Sequence, residues 1–552
     1  MIHTLRPYLL TVALGGVVYG QSILFGFNHF DDHKYIVENH ATISGLSRIP
    51  FAFQHGIGDF YRPVLLVTWM LDAELGGTAP WIYHVSNVVL HLIASCLVLL
   101  TFRTLRFSNA LALSFALLFA CHPLLAEAVV WIPGRNDALL TIFVLTAFLT
   151  LLRVADRNTI VSFILHFLAF ALAVFTKEPA ILFPFAAMFY LFVVSRERVL
   201  TSRTFVLVLG WTAIGLTWFL LRQSALAGSA SGDELSLRAF LKNLPTLPTL
   251  LGKFILPWKL SGVATFDAVS IVAGTVFAML LAIVLVTTRG LDVRLVSFGA
   301  IWFLLFLLPT FVVRMSIADD HFDYMEHRVY LPMIGLMIIL MEGLRRKGIQ
   351  FSGRPAQIGI TCLLLVLSAR NVVYSRSYRD ALPFWEQAIR DNPARSNFHS
   401  VLAHLHYGRK DLERAAALFE RAASLSVTND PSNYRNLGVV YGDLKRHDDV
   451  IPMFEKALAI DADRADVHYG LGRTYHARQQ FDRALEHAVE AVRLEPTQSN
   501  YAFALAVIYA DMGRVDESVA TCRKMLRVNP NDVRARNLLD ELEDVHPGQR
   551  RP

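Results

Sequence analysis

The chain is poor in charged residues for its length. Of its 552 residues only 18% are charged and 54% are hydrophobic, and the mean hydropathy is +0.42. An average soluble domain carries roughly 25% charged residues. This shortage of charge argues against a purely water-soluble protein, and the length predicts several domains.

Cysteines and the short motifs of nucleotide chemistry are also scarce. The four cysteines are Cys96, Cys121, Cys362 and Cys522. Three lie in long apolar runs and the fourth stands alone, which argues against a disulfide framework. No His/Cys cluster has zinc-ligand spacing, and the sequence has neither a Walker loop nor a dinucleotide fingerprint. Soluble nucleotide-sugar chemistry is therefore not supported.

Long apolar runs fill the first two thirds of the chain. A bilayer core of about 30 Å needs about 20 apolar residues per helix. We predict about eleven membrane spans, at 8–27, 82–102, 107–121, 136–152, 159–175, 179–194, 204–222, 268–287, 295–313, 329–344 and 356–373. The first run is long and has no small-residue cleavage site, so we expect a retained signal anchor.

Arginines in the short loops predict the orientation of these spans. With the N-terminus cytoplasmic, the short inner loops carry the basic clusters, as the positive-inside rule requires. These clusters are Arg103 and Arg106, Arg153 and Arg157, Arg196, Arg198 and Arg203, Arg289 and Arg294, and Arg345, Arg346 and Lys347. An odd number of spans then places the C-terminal region outside.

A helical repeat follows the apolar part. Trp385, Phe419, Phe454, Ala488 and Cys522 are separated by 34, 35, 34 and 34 residues. This is the tetratricopeptide pattern, in which stacked helix pairs cover one another's apolar faces. We predict four units after a half unit near 381–391. Such an array offers a groove to a peptide or protein, and the alternative is a spacer or dimerisation element.

The predicted architecture is all-α. A multi-pass transmembrane helical domain occupies residues 1–375, and a tetratricopeptide-repeat α-solenoid occupies residues 376–545. We expect a disordered tail at 546–552.

Four polar clusters interrupt the apolar part, and the predicted topology places all four on the outer side. They are Asp31 and Asp32; His122, Glu127, Arg135 and Asp137; Lys177 and Glu178; and Asp319, Asp320, Glu326, His327 and Arg328. Each cluster alone admits solvated loop acids, snorkelling side chains or an ion pair between helices. Ionisable groups at membrane depth usually face a cavity or a partner. Together they suit a substrate with a phosphate head and a lipid tail.

Several of these residues fall in motifs that follow one another in a characteristic order. The motifs are DDxxYIxxN at 31–39, YRP at 61–63, HxxNxxxH at 84–91, LLFACHPLLAEAVVWIPGRNDALL at 117–140, FTKE at 175–178 and EHRVYLP at 326–332. With the repeats after them, they resemble the transmembrane and tetratricopeptide-repeat (TMTC-like) O-mannosyltransferase family. The resemblance extends more distantly to the multi-pass, lipid-dependent GT-C glycosyltransferases.

The resemblance implies transfer of a mannose-like sugar from a polyprenyl-phosphate carrier to an acceptor hydroxyl on the outer face, with inversion. The acceptor needs a carboxylate to take its proton, and either Asp31 or Asp32 is the candidate base. The leaving phosphate needs fixed cations or donors. Its candidate ligands are Arg135, Lys177, Arg328 and His122. The residues expected to support them are Glu127, Asp137, Glu178, Glu326 and His327.

We expect no cofactor and no obligatory metal, because arginine and lysine can stabilise a phosphate leaving group. A divalent cation held by the Asp31–Asp32 pair, Asp319 and Asp320 is the alternative, since hard cations take oxygen ligands. The expected partners are the bilayer, a lipid-linked sugar donor, and a protein or peptide acceptor bound by the repeats. No nucleic acid is expected.

Two other functions compete with sugar transfer. A non-catalytic, membrane-anchored repeat scaffold for envelope assembly would leave the polar clusters without a task. A lipid-linked sugar flippase should place ionisable groups near the bilayer midplane. The sequence has no N-x-Ser/Thr sequon and no endoplasmic reticulum retention signal. We therefore expect a bacterial inner membrane with periplasmic repeats, and the alternative is the endoplasmic reticulum with luminal repeats.

Overall fold

The computed structural model divides the chain into two compact units, Met1–Asp391 and Asn392–Pro552. It describes residues 2–28, 31–56, 58, 60–157, 159–198, 201–227, 237–312, 315–317, 320–322, 324–426 and 430–545. The predicted tail at 546–552 lies outside the described residues.

The first unit is built almost entirely of helices. Its α-helices are α1 Ile2–Tyr19, α2 His40–Ile43, α3 Ile49–Gln54, α4 Pro63–Gly76, α5 Pro80–Thr104, α6 Asn109–Cys121, α7 Glu127–Val130, α8 Arg135–Arg157, α9 Ile160–Val174, α10 Phe183–Phe189, α11 Ser202–Ala225, α12 Leu237–Asn243, α13 Thr246–Ile255, α14 Ala268–Thr287, α15 Val293–Val312, α16 Met333–Arg346, α17 Arg354–Ser375 and α18 Ala381–Asp391. A three-residue antiparallel pair, β1 Met315–Ile317 and β2 Asp320–Phe322, is the exception among the described residues.

The number of spans differs from the prediction. Seven helices among the described residues are long and apolar enough to cross a membrane, and a bent helix pair at 109–130 makes up to eight. The three other predicted spans coincide with shorter helical stretches at 160–174, 178–194 and 333–346. Of these, α16 is mostly buried in the first unit, so an apolar run there reflects protein packing as well as lipid.

The segment between the third and fourth predicted spans is buried in the protein rather than exposed as a loop. Every residue from Phe119 to Thr141 is buried. After α6 the chain bends by 52° at His122 and continues through a short helical turn into α7. Buried polar groups must find partners inside the protein. The polar residues of this segment are therefore held by neighbouring helices rather than by solvent.

Close packing brings α13 against α14 in the first unit. A Cβ atom at Gly252 would lie 1.9 Å from the carbonyl oxygen of Ser270, so only glycine permits this approach. The contact fixes the last turn of α13, which carries Lys253.

The second unit is a stack of antiparallel helix pairs. Its helices are α19 Ser396–Gly408, α20 Leu412–Leu425, α21 Pro431–Asp443, α22 His447–Ile460, α23 Ala465–Ala477, α24 Phe481–Leu494, α25 Ser499–Asp511, α26 Val515–Val528 and α27 Val533–Val545. The pairs share one turn geometry, because Lys410, Lys445, Gln479 and Gly513 all have positive φ angles just after the first helix of a pair. The predicted period is therefore present in the backbone as well as in the sequence.

Small residues allow the repeats to pack as predicted. The Phe454 ring lies between α21 and α23, and a Cβ atom at Gly438 or at Gly470 would come within 2.6 Å of it. Phe419, Phe454 and Ala488, which define the sequence period, are all buried in one core.

The unit boundary falls later than the end of the predicted membrane domain at residue 375. Helix α18, which we predicted as a half repeat, belongs to the first unit. Its Phe384 and Trp385 are buried, and the Phe384 ring packs on Tyr378 at 5.4 Å between centroids. The half repeat therefore completes the core of the first unit.

Candidate active site

A cavity of about 350 Å³ in the first unit collects charged residues from three of the predicted clusters. Lys177 and Glu178 reach it from the turn after α9, Asp137 from α8, and Arg328 from the helical turn Glu326–Val329. These residues are far apart in the sequence. The fold brings these four residues to one cavity, whereas the other predicted residues Asp31, Asp32, His122 and Arg135 do not line it.

Two arginines that we did not predict as ligands also line this cavity. Arg62 precedes α4, and Arg222 lies in the last turn of α11. Arg62 was visible in the sequence as part of the YRP motif, but no charged cluster marked it. Arg222 stands alone at the end of an apolar run, which reads equally well as a membrane-flanking charge.

Two of the four cations are paired with the two carboxylates of the cavity. Lys177 Nζ lies 2.7 Å from Asp137 Oδ1, and Arg62 Nη2 lies 2.8 Å from Glu178 Oε2. Burial lowers the pKa of Lys177 to about 8, although Asp137 opposes the shift. The Lys177 ammonium therefore loses its proton more readily than an exposed lysine does.

The other two cations have no carboxylate partner within ion-pair distance among the described residues. Arg328 is half-buried, and burial, with the charge of Arg62, lowers its guanidinium pKa. Arg222 lies 5.9 Å from the ring centroid of Trp218. Guanidinium groups without a carboxylate partner are free to bind an anion in the cavity.

The remaining wall of the cavity is mostly apolar. Its apolar lining residues are Phe60, Leu140, Pro179, Phe306, Pro309, Leu331 and Pro332. A cluster of cations beside an apolar wall is the combination that a phosphate group attached to a hydrocarbon chain requires.

The segment that carries Arg328 is held at the two residues before it. Glu326 Oε1 lies 2.5 Å from Lys253 Nζ of α13 and accepts a hydrogen bond from Ser261 N at 3.3 Å. Glu127 of α7 contacts His327 twice: its Oε2 accepts from the backbone N at 3.1 Å, and its Oε1 lies 3.1 Å from Nδ1. These two attachments fix the backbone from which Arg328 reaches the cavity.

The surroundings of His327 disfavour a positive charge on its ring. Burial lowers its pKa well below the ordinary value, and the charges of Lys177 and Arg328 act in the same direction. Its Nε2 lies 3.8 Å from Asp137 Oδ2. Of the residues predicted to support the cations, Asp137 and Glu178 line the cavity, whereas Glu127, Glu326 and His327 lie behind it and hold the segment of Arg328.

The structure does not bring Arg135 into this cavity. Arg135 is fully buried, with Nη2 at 2.6 Å from Asp72 Oδ2. Its Nε donates to Asn87 Oδ1 at 2.7 Å, and Nη2 also donates to the Tyr83 carbonyl at 2.8 Å. The guanidinium joins α8 to α4 and α5, so its predicted role as a phosphate ligand must be corrected to a structural one.

Both ring nitrogens of His122 are also engaged in structural hydrogen bonds. Its Nδ1 accepts a hydrogen bond from Leu124 N at 3.2 Å, and its Nε2 contacts the Phe254 carbonyl oxygen at 2.9 Å. A ring that accepts at Nδ1 donates at Nε2, so no nitrogen remains for a ligand. The predicted phosphate donor instead stabilises the bend between α6 and α7.

Asp31 and Asp32 begin a helical segment that lies over α4. Asp32 is buried, and its Oδ2 accepts a hydrogen bond from Asn28 N at 3.2 Å, whereas Oδ1 has no hydrogen-bond partner among the described residues. Burial raises the pKa of Asp32 to about 7, and Asp31 adds to the shift. Burial also raises the pKa of the half-buried Asp31, against the charge of Lys34. Neither carboxylate forms an ion pair with a cavity cation among the described residues.

The Asp31–Asp32 segment shares an apolar cluster with α4 and α8, and α8 also lines the cavity. Ile36 packs in one apolar cluster with Trp69 of α4 and Leu139 of α8, next to Leu140 in the cavity wall. At the N-terminal end of α4, Val64 N donates to the Phe175 carbonyl, two residues before Lys177. The two carboxylates and the cations therefore share a common scaffold.

The structure says little about the alternative metal site. Asp319 lies outside the described residues, and for Asp320 only the backbone of β2 is described. Within the described part of the chain, no three His, Cys, Asp or Glu side chains gather as a metal site would require. That no metal is obligatory stays a prediction.

Comparisons with known proteins match both parts of the chain. Residues 63–221 match the family model described as dolichyl-phosphate-mannose-protein mannosyltransferase. Tetratricopeptide-repeat models match residues 366–434, 443–502 and 475–542. The predicted family resemblance, the repeats and the multi-pass membrane character are thereby confirmed.

Several proteins named protein O-mannosyl-transferase are similar to segments of this chain. Human protein O-mannosyl-transferase TMTC1 is 38% identical over 101 residues, which is 18% of this chain and 12% of the relative. Drosophila melanogaster Tmtc1 is 33% identical over 178 residues, 31% of this chain and 21% of the relative. Caenorhabditis elegans F38B6.6 is 33% identical over 178 residues, 29% of this chain and 25% of the relative.

The matched segments span between a tenth and a quarter of the length of these relatives. Among solved structures, the tetratricopeptide protein YrrB is 24% identical over 30% of this chain and 93% of its own, with a TM-score of 0.25. The repeat assignment rests on the family models and on the 34-residue period rather than on this likeness.

Proposed function

We propose that this TMTC-like protein is a membrane glycosyltransferase that moves a mannose-like sugar from a polyprenyl-phosphate carrier to an acceptor hydroxyl. The observation that carries the proposal is the cavity in which Arg222 and Arg328, neither paired with a carboxylate among the described residues, face an apolar wall. The relatives named protein O-mannosyl-transferase support mannose as the sugar.

The cations of the cavity are suited to the leaving group. As the bond between the anomeric carbon and the phosphate oxygen breaks, its electron pair adds negative charge to the lipid phosphate. Fixed cations that already point at that position stabilise the charge without reorganising. We assign this role to Arg222, Arg328 and Lys177, with Arg62 as a further ligand, and Asp137 and Glu178 hold two of these cations in place.

The Asp31–Asp32 pair is suited to the acceptor side. An acceptor hydroxyl forms the new bond to the anomeric carbon and gives its proton to a carboxylate. A general base works best when its pKa lies near the working pH, and burial brings the pKa of Asp32 to about 7. Asp31 is the more accessible of the two. A single displacement of this kind inverts the anomeric carbon.

The surroundings of the site follow from the same proposal. The carrier lipid reaches the cavity from the bilayer along its apolar wall, and the reaction takes place on the outer face. The N-terminus is then cytoplasmic and the repeats are extracytoplasmic, where they hold a protein or peptide acceptor. Cations and carboxylates of this chain supply the chemistry without a cofactor.

The proposal can be tested with the full chain in lipid nanodiscs that contain polyprenyl-phosphate [³H]mannose and an acceptor peptide. Arg328→Ala should lower the rate of transfer about 100-fold or more, as loss of one fixed donor does at comparable sites. Asp31→Asn and Asp32→Asn identify the base, because only the base variant loses transfer completely. Arg48→Ala, which removes an exposed arginine outside the cavity, is the matched control.

Three results would contradict the proposal. If the wild-type chain transfers no sugar but binds peptides, it acts as a scaffold. If it moves the lipid-linked donor between leaflets without transfer, it acts as a flippase. If Arg328→Ala and Arg48→Ala keep the same rate as wild type, the cavity is not the donor site.

A further inference from the structure

A second cavity, of about 400 Å³, lies within the repeat unit. It is lined by α23 and α25, which are the first helices of two successive pairs, and by Arg534 at the start of α27. Tyr469 and Phe503 occupy equivalent positions in it, 34 residues apart. The repeat thus builds this surface from corresponding positions of neighbouring units.

The charges of this groove are unbalanced. None of its described lining residues is a carboxylate, and three of them can carry positive charge: Arg473, His476 and Arg534. Two are compensated by residues outside the lining, since His476 Nε2 lies 2.6 Å from Asp511 Oδ2 and Arg534 Nη2 lies 3.3 Å from Asp532 Oδ2. Arg473 forms no ion pair with a carboxylate among the described residues.

Arg473 is exposed and rests on an aromatic surface. Its guanidinium carbon lies 5.6 Å from the centroid of the Tyr469 ring. One repeat earlier on the same face, the guanidinium of Arg435 is already paired with Asp466, Nε to Oδ2 at 3.0 Å. The available positive charge on this part of the repeat face is therefore concentrated at Arg473.

An apolar patch lies beside this charge. Phe503 and Val507 are only half-buried, and they lie one turn apart on α25, next to the buried Ile508. Arg534 covers one side of the Phe503 ring, with its guanidinium carbon 5.2 Å from the ring centroid. Asn500, one turn before Phe503, accepts a hydrogen bond at Oδ1 from Arg534 Nη1 at 2.7 Å, and its side-chain NH2 group can donate to a peptide backbone.

We propose that this groove binds an extended segment of the acceptor protein in which an acidic side chain pairs with Arg473 and a neighbouring apolar side chain packs on Phe503 and Val507. The inference rests on the proposed role of the repeats in holding the acceptor, and it adds the chemistry of the segment that they select. Charge complementarity favours an acidic segment, because Arg473 is the cation of the lining that has no carboxylate partner among the described residues.

The test measures binding of a fluorescein-labelled peptide to the full chain in detergent by fluorescence anisotropy, without any sugar donor. The probe is an eleven-residue peptide of Ser, Leu and Asp, compared with the same peptide in which Asn or Lys replaces Asp. We expect the Asp peptide to bind roughly tenfold more tightly than the Asn peptide, and the Lys peptide to bind least.

Two variants and a control locate the site. Arg473→Ala should weaken binding of the Asp peptide roughly tenfold and leave binding of the Asn peptide unchanged. Phe503→Ala should weaken the binding of both the Asp peptide and the Asn peptide. Lys524→Ala removes the same charge from an exposed position on α26 outside the groove and should change neither.

The proposal fails if no peptide binds, if Asp and Asn peptides bind alike, or if Arg473→Ala and Lys524→Ala weaken binding equally. Because the measurement needs no donor, its outcome is separate from sugar transfer. Selective binding without any transfer would leave this inference standing while the proposed enzyme activity fails. Transfer without selective peptide binding would support the enzyme activity and contradict the inference about the groove.

Discussion

Two arginines of the first unit show how a residue's partners decide its role. Arg135 is fully buried and meets Asp72, Asn87 and the Tyr83 carbonyl. Arg328 is half-buried, faces a cavity and has no carboxylate within ion-pair distance among the described residues. The same side chain is thus a brace between helices in one place and a candidate ligand in the other.

We predict opposite phenotypes for these two arginines. Arg135→Ala leaves Asp72 buried without its charge partner, which typically costs about 3–5 kcal/mol. The melting temperature of Arg135→Ala should be clearly lower than that of the wild type. It can be measured by fluorescence-detected size exclusion after heating. Arg328→Ala should melt close to the wild type and lose donor binding. Equal melting temperatures for the two variants would contradict the structural role of Arg135.

The pH dependence of transfer is a second prediction at this scale. Below pH about 7 the Asp31–Asp32 pair takes up a proton, because burial raises the pKa of Asp32 to about 7, so kcat/KM should fall about tenfold per pH unit. Above pH about 8 Lys177 loses its proton, because burial lowers its pKa to about 8, so kcat/KM should fall again. A plot of kcat/KM against pH should therefore be bell-shaped.

Lys177→Arg separates the two limbs of that profile. A guanidinium keeps its charge throughout the measured range, so the alkaline limb should disappear while the acid limb stays. An alkaline limb that is unchanged in Lys177→Arg would assign it to another group.

At the scale of a single element, the short turn Glu326–Val329 is fixed by contacts with α7 and α13. Glu127 binds the backbone and ring of His327, and Lys253 binds Glu326. Glycine at position 252 lets α13 lie close enough to α14 to hold Lys253 in place. The position of Arg328 thus depends on two helices that do not themselves line the cavity.

Glu127→Ala should therefore misplace Arg328 without removing it. We expect the KM for the lipid-linked donor to rise about tenfold, because a small displacement weakens a charge-assisted contact by roughly 1.4 kcal/mol. Glu127→Gln should restore much of the affinity, since its amide oxygen still accepts from His327 N. If Glu127→Ala and Glu127→Gln have the same KM for the donor, Glu127 has no positioning role.

At the scale of the whole molecule, the chain consists of two compact units, and the boundary between them in the sequence falls between residues 391 and 392. Helix α18 has the sequence period of the repeats but the packing of the first unit, where Phe384 and Trp385 are 3% and 4% exposed. The end point of a truncated chain should therefore be chosen from the contacts of α18 and not from its sequence pattern.

We predict that a chain ending at Asp391 remains monodisperse in detergent and binds the donor, whereas a chain ending at Tyr378 does not. The shorter chain loses two buried aromatic side chains, each of which contributes about 3–5 kcal/mol. The chain ending at Asp391 should also lose transfer to a protein acceptor. Size-exclusion profiles and transfer to the acceptor check both statements, and undiminished transfer would remove the role of the repeats.

The sequence determined the class of the molecule because hydropathy and period are properties of neighbouring residues. Apolar runs predicted the membrane helices, and the 34-residue spacing predicted the repeats that the backbone turns at Lys410, Lys445 and Gln479 display. The number of spans was less accessible, because helices such as α16 are apolar for burial against protein as well as lipid.

Only the tertiary structure decided which charges meet. Arg62 and Glu178 are 116 positions apart, and nothing along the chain marks them as partners. His122 and Arg135 lie in the most distinctive motif, yet both make structural contacts inside the protein. Arg222 belongs to no motif, yet it lines the cavity. A charge acquires its function from the groups that surround it in space, and those are set by helix packing rather than by sequence spacing.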